Sequence, residues 1–145
     1  MKKMHQVRRE TGFTLLELLV VLVILGLLAG LVGPKVMDYL GTSKSKTGQL
    51  QIEQLGQSLE LFRLEVGRYP NSQESLSALI EAPPGVTGWN GPYIKSKTVP
   101  KDPWGNDYHY ASPGQHNTDY DISSLGLDNR EGGEGENKDI NNWGE

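Results

Sequence analysis

The amino-acid sequence predicts an α+β protein, with one long N-terminal α-helix followed by a small antiparallel β-sheet. An uninterrupted apolar run occupies residues 15–32. Helical spacing then places apolar residues on one face of the chain, at Ile52, Leu55, Leu59, Phe62 and Val66. Beyond residue 90, clusters of turn-forming residues separate short runs in which apolar and polar residues alternate, which is typical of antiparallel strands.

The apolar run is long enough to cross a membrane, because about 18 residues at about 1.5 Å each cover most of a ~30 Å hydrocarbon core. Glu17 is the only ionisable residue in the run. A carboxylate inside such a segment costs about 2.5 to 3.5 kcal/mol on insertion scales, so it normally marks function. Either Glu17 has a partner, or it lies at the interfacial edge of a simple anchor.

Three interpretations of this segment are open. A cleaved secretory signal has an apolar core of about 7 to 15 residues with a small-x-small site after it. This core is longer, and it ends in Gly33-Pro34 with no clean Ala-x-Ala pair. A plain signal anchor gives no reason for Glu17. The third interpretation places a processing site before the run, after Gly12, which leaves Phe13 as a new N terminus with the helix still attached.

The charge distribution predicts the orientation of the chain and excludes one class of partner. Residues 1–12 contribute +3 to a formal net charge of −4, so the remainder carries −7. The basic segment is expected to stay on the cytoplasmic side of the membrane, with the bulk of the chain on the other side. An acidic remainder argues against nucleic acid as a partner. The chain has no cysteine, which excludes disulfides and thiolate metal sites.

Four segments follow along the chain. Residues 1–12 are a basic leader, 13–35 a transmembrane and assembly helix, 36–66 an amphipathic continuation, and 67–145 a head. Gly33-Pro34 predicts a break or kink unless the proline is absorbed in a longer helix from Phe13 to about Val66. The stretch from Gly41 to Gly48 is expected to be its weakest part, because glycine costs about 0.5 to 1 kcal/mol relative to alanine.

The head is predicted to be a short helix, a small sheet and an acidic tail. Asn71 and Glu74 fit a capping box that opens a helix to about Glu81. Alternating positions at Tyr108 and Tyr110, and again at Tyr120 and Ile122, predict antiparallel strands. The tail over residues 126–136 is rich in glycine and acids, and apolar residues follow it. It is therefore either a solvated connector or a closed loop suited to an ion.

Two sets of motifs resemble a known family. Four basic residues followed by Gly-Phe-Thr-Leu-Leu-Glu resemble the prepilin peptidase signature of type IV pilins and pseudopilins: Lys2, Lys3, Arg8 and Arg9 precede Gly12, Phe13 and Glu17. Later blocks resemble the major pseudopilins of type II secretion, also called the general secretion pathway protein G family: residues 67–70, 89–94, 102–105, and 124–126 leading to Asp139-Ile140.

The resemblance implies a pilin-like fold, in which the long helix packs on the sheet. It implies cleavage between Gly12 and Phe13 by a prepilin peptidase and N-methylation of Phe13. It also implies that Glu17 meets the Phe13 amine of a neighbouring subunit in a helical homopolymer. The expected location is the inner membrane, single-pass, with a periplasmic head that joins a periplasmic pseudopilus. Minor pseudopilins and an inner-membrane secretion platform are the other implied partners.

The resemblance also implies calcium in the acidic loop. Asp128, Glu136 and Asp139, with backbone carbonyls near Leu125 and Arg130, offer only oxygen ligands. Oxygen ligands suit calcium, whereas zinc prefers histidine or cysteine. The spacing is not that of an EF-hand. We therefore predict a calcium site formed by these five residues.

The function that the resemblance implies is structural: the major subunit of a pseudopilus that helps to export folded proteins across the outer membrane. An adhesive or motility type IV pilin is a second hypothesis, although a cysteine pair would then be expected. A membrane-anchored periplasmic enzyme or binding protein is a third. No nucleophile, base and acid converge in the sequence, and the histidines have no such partners, so we predict that the chain is not an enzyme.

Overall fold

The computed structural model describes residues 12–144, so the basic leader residues Lys2, Lys3, Arg8 and Arg9 lie outside the described residues. The chain divides into two compact units, one ending at Met37 and the other beginning at Asp38. Its elements, in chain order, are α1 (Leu15–Val66), a 3₁₀ turn (Leu76–Leu79), β1 (His109–Ala111), β2 (Asp121–Ser124), a second 3₁₀ turn (Gly135–Asn137) and β3 (Ile140–Asn141). This order confirms the predicted α+β class.

The long helix α1 has 52 residues and begins two residues after Phe13. Pro34 lies inside it, so the proline does not end the helix. Its first part is exposed along the whole apolar run, and by length and composition the helix could cross a membrane. An apolar helix surface without protein cover is what a lipid-facing segment requires.

The hydrophobic core of the head lies under one face of α1. The predicted residues Ile52, Leu55, Leu59 and Phe62 are all buried, and Val66 packs against them at the edge. The remaining core side chains come from the segments that cover this face: Leu76, Ala78, Leu79, Tyr108 and Ile122. The 3.6-residue periodicity of the sequence therefore identified the helix face that organises the head.

The sheet has three antiparallel strands in the order β1-β2-β3. Tyr110 pairs with Ile122 in the β1–β2 ladder, and Ser124 pairs with Ile140 in the β2–β3 ladder. The central strand β2 is buried at three of its four residues, because its neighbours lie on both sides. The alternation at Tyr108 and Tyr110, and at Tyr120 and Ile122, thus predicted both strands, although Tyr108 and Tyr120 each lie one residue before the strand begins.

The predicted short helix is smaller than expected. Its capping box does form: the Asn71 carbonyl oxygen Oδ1 accepts hydrogen bonds from the amides of Gln73 and Glu74, and the Asn71 amide donates to Glu74 Oε2. Ser75 then takes a left-handed conformation with φ of 56°. A right-handed helix requires a negative φ, so the positive φ of Ser75 ends the helix after one turn. Only the 3₁₀ turn Leu76–Leu79 follows, and it does not reach Glu81.

The Gly41–Gly48 stretch is continuous helix, and both glycines are buried against the head. A Cβ on Gly41 would lie 2.6 Å from Glu136 Cγ, and one on Gly48 would overlap Ile140 Cδ1. The glycines therefore allow the C-terminal part of the head to lie directly on the helix backbone. Their cost in helix propensity is offset by this close packing.

Candidate assembly and ion-binding sites

The carboxylate of Glu17 forms a capping box at the start of α1. Glu17 Oε2 accepts hydrogen bonds from the Thr14 amide at 2.8 Å and from Thr14 Oγ1 at 3.0 Å. Thr14 Oγ1 in turn accepts from the Glu17 amide at 3.2 Å. Each side chain satisfies an amide that the first helical turn leaves unpaired. The Thr-x-x-Glu signal for this box was present in the sequence, but our sequence analysis did not use it.

The Phe13 position is compatible with a role at a subunit contact, but the predicted ion pair is not formed in this chain. Phe13 is 87% exposed. Gly12 precedes it through a peptide bond, so the amine that would face Glu17 does not exist before cleavage. The Phe13–Glu17 contact between subunits stays a prediction.

Two of the five predicted calcium ligands line one cavity. Leu125 and Asp139 both border an open cavity of about 650 Å³ beside β1 and β2. Asp139 Oδ2 accepts a hydrogen bond from the Gly132 amide at 2.9 Å. Asp139 Oδ1 is buried. Among the buried side-chain nitrogen and oxygen atoms of residues 12–144, it is the one without a hydrogen-bond partner. Because an unpaired buried carboxylate oxygen is costly, Asp139 fits the position of a cation ligand.

The other predicted ligands are placed differently. Asp128 Oδ1 accepts from the Arg130 amide at 3.2 Å in an exposed turn. The Glu136 carboxylate faces α1, where Oε1 lies 3.5 Å from Lys44 Nζ and accepts a hydrogen bond from Trp104 Nε1 at 3.3 Å. Within the part of the chain that the structure describes, no three acidic, histidine or cysteine residues converge into a group that could hold a metal.

A further acid beside the same cavity was missed in the sequence. Asp121, at the start of β2, accepts hydrogen bonds from the backbone amides of Gln115, His116 and Asn117 at 2.8 to 2.9 Å. Burial alone would raise the pKa of this carboxyl, but the amide and His116 hydrogen bonds outweigh it and lower the pKa to about 2. His116 also stacks on Trp143 with ring centroids 4.0 Å apart. One of the clusters of turn-forming residues, Ser112-Pro113-Gly114, predicted a loop here. It did not indicate that Asp121 accepts hydrogen bonds from the amides of that loop.

A capped apolar helix joined to a small antiparallel sheet defines a pilin-like class of protein. The comparisons with known proteins agree. The family described as a prokaryotic N-terminal methylation motif matches residues 7–33, and the family described as type II secretion system, protein G, matches residues 35–143. The chain belongs to the type II secretion system protein G family.

Individual relatives support the same family. The type II secretion system core protein G of Vibrio cholerae is 44% identical over 143 residues, covering 97% of this chain and 96% of the relative. The protein of the same name from Pseudomonas aeruginosa is 41% identical, covering 95% and 98%. The crystal structure of the major pseudopilin from the type 2 secretion system of enterohaemorrhagic Escherichia coli is 32% identical with a TM-score of 0.63, covering 76% of this chain and 95% of that one.

Proposed function

We propose that this chain is the major structural subunit of a periplasmic pseudopilus, which polymerises through its N-terminal helix and helps to export folded proteins. The observation that carries the proposal is the succession of a methylation motif, one continuous helix and a protein G head along a single chain. A solved structure similar to this chain is that of a major pseudopilin, and we propose a purely structural role.

Processing comes first in this proposal. A prepilin peptidase cleaves between Gly12 and Phe13 at the cytoplasmic side of the inner membrane, and Phe13 is N-methylated. The open space around Gly12 and the full exposure of Phe13 support access to this bond. We expect Gly12→Leu to leave full-length protein in the inner membrane, because a bulky side chain would obstruct the peptidase. The intact mass of the mature protein, with Gly12→Ala as the milder control, checks cleavage and methylation together. Normal processing of Gly12→Leu would count against the assignment.

Assembly follows, with neighbouring copies, minor pseudopilins and an inner-membrane platform as partners. Electron microscopy of overexpressing cells tests this step. We expect short helical fibres from a periplasmic assembly. Long surface fibres would favour an adhesive or motility pilin instead, and the absence of fibres would favour an anchored enzyme or binding protein.

Calcium is the proposed ligand of the acidic loop. Asp139, Asp128 and the backbone carbonyls of Leu125 and Arg130 would hold it, and the unpaired Asp139 Oδ1 supports this choice. The ion would supply positive charge to a loop whose exposed acids otherwise repel one another. Isothermal titration of the chelator-treated full chain in detergent micelles tests the proposal. An absence of binding heat would remove calcium from it.

A further inference from the structure

The side chain of Glu136 lies against α1. Its Oε1 approaches Lys44 Nζ at 3.5 Å and accepts the Trp104 indole hydrogen bond at 3.3 Å. Its Cγ occupies the space that a side chain on Gly41 would fill. Both the carboxylate and the Cγ atom of Glu136 therefore contact residues outside the loop, in α1 and at Trp104.

The backbone around Glu136 is tied to the rest of the head as well. The Glu136 carbonyl accepts a hydrogen bond from the Leu127 amide at 2.9 Å, which closes the acidic loop on itself. Trp104, the indole donor, stands in a turn organised by Asp102, whose Oδ1 accepts its amide at 3.0 Å. Asp102 Oδ2 is hydrogen-bonded to Ser124 Oγ at 2.5 Å, next to Leu125. Helix, turn and loop thus meet at Glu136.

We propose that Glu136 is a positioning residue of the calcium loop and not one of its ligands. Its contacts with Gly41, Lys44 and Trp104 fix the end of the loop on α1, which places Asp139 for the ion. This inference rests on the proposed calcium binding. It replaces the sequence prediction that Glu136 coordinates the ion directly, because its Oε1 is already engaged by Lys44 and Trp104.

Gly41→Ala separates the two roles, because it removes no oxygen atom from the loop. The added methyl group would lie 2.6 Å from Glu136 Cγ and would displace this side chain from the helix. A positioning role then predicts that Gly41→Ala resembles Glu136→Ala. Glu136→Gln should be milder than Glu136→Ala, since the amide oxygen still accepts the Trp104 hydrogen bond. Glu134→Gln, at an exposed acid of the same loop, is the control for lost charge.

The experiment uses the full chain in detergent micelles and two measurements. Calcium titration should show binding weakened by about two- to fivefold in Gly41→Ala and Glu136→Ala, the range expected for partly exposed polar contacts. Hydrogen exchange without calcium should show a faster Leu127 amide in both variants, an effect that lost ligation alone would not produce. The control should match the wild type in both measurements.

Two results would overturn the inference while leaving calcium binding in place. In the first, Glu136→Gln and Glu136→Ala both lose calcium binding while Gly41→Ala binds normally, which would make Glu136 a ligand. In the second, every variant binds calcium with wild-type affinity and shows wild-type hydrogen exchange, which would mean that the contacts of Glu136 do not position the loop. If the wild type itself binds no calcium, both the calcium proposal and this inference are wrong.

Discussion

We expect Glu17 to have one role before cleavage and another after it. In the uncleaved chain it caps α1 through the Thr14 amide and hydroxyl. Cleavage after Gly12 would create an ammonium group on Phe13, and opposite unit charges 4 Å apart attract by about 4 kcal/mol at an effective dielectric of 20. We expect this attraction to offset the burial cost of the carboxylate. The cap can then be exchanged for a contact with a neighbouring subunit.

We expect Glu17→Ala to insert into the membrane at least as well as the wild type, because it removes a burial cost of about 2.5 to 3.5 kcal/mol. Assembly should fail while monomer levels hold, since the partner of the Phe13 amine is gone. Fibre counts by electron microscopy check this. Thr14→Ala is the matched control, because it removes the hydroxyl part of the cap, worth about 1 kcal/mol, but keeps the amide that donates to Glu17 and keeps the carboxylate. It should still give fibres. Normal fibres from Glu17→Ala would refute the pairing.

Asp121 gives a pH-dependent prediction. Its pKa is about 2 in the folded protein, below the ordinary aspartate value of about 3.9, so folding favours its charged form. The resulting stability, about 2 kcal/mol by linkage, is complete above about pH 5 and is lost as the pH falls towards 2. Asp121→Asn should therefore melt below the wild type at pH 7, with the gap closing near pH 2. Circular dichroism melts check this, with Asp119→Asn as an exposed control. A gap independent of pH would exclude the electrostatic cause.

At the scale of the elements, α1 was largely predictable and its contacts were not. The spacing of Ile52, Leu55, Leu59 and Phe62 is a local signal, and it identified the buried face. The partners of Gly41 and Gly48 come from the acidic loop and β3. No local sequence pattern predicts contacts between such distant segments. From the sequence alone, Gly41 and Gly48 were therefore only two residues with low helix propensity. The prediction that Glu136 is a ligand rested on its acidic neighbours in the sequence, whereas its contacts with Trp104 and Lys44 had no local signal.

We expect Gly48→Val to destabilise the head by about 1 to 3 kcal/mol, the usual cost of overpacking. Valine would overlap Ile140 and press on Pro103, whose Cδ lies 3.4 Å from the added Cβ. The melting temperature should fall by several degrees, at roughly 4 to 8 °C per kcal/mol for a small domain. Gln57→Val places the same β-branched residue at an exposed position of α1 and should melt close to the wild type. Equal melts for the two variants would show that the fit at Gly48 is not tight.

For the whole molecule, calcium is the proposed substitute for disulfides. The sequence has no cysteine, and the hydrophobic core is small, with nine buried side chains among the described residues. Small domains with limited cores usually depend on an additional cross-link or a bound metal. An ion held by Asp128 and Asp139 would join the two ends of the loop. The class of protein was predictable from motifs. The arrangement of the proposed calcium ligands depends on tertiary packing, for which the sequence has no local pattern.

We expect calcium to raise the melting temperature of the wild type and chelator to lower it. Binding to the folded state alone stabilises by about 2.7 kcal/mol at a free concentration one hundred times the dissociation constant. Asp139→Ala and Asp128→Ala should melt like chelator-treated wild type and respond little to added calcium. The exposed acid variant Glu134→Gln serves as a charge control. Identical wild-type melts with calcium and with chelator would mean that the loop is a solvated connector.

The contact of Gln49 with Asn141 has a consequence for the order in which the protein is made. Gln49 Nε2 donates to the Asn141 carbonyl across 92 residues of chain. At a synthesis rate of about 5 to 20 residues per second, the ribosome finishes this stretch of α1 roughly 5 to 20 seconds before its partner strand exists. During that interval Gly41 and Gly48 lack the side chains of Glu136 and Ile140 that later lie against them. A nascent chain that stops before β3 therefore leaves this face of α1 uncovered.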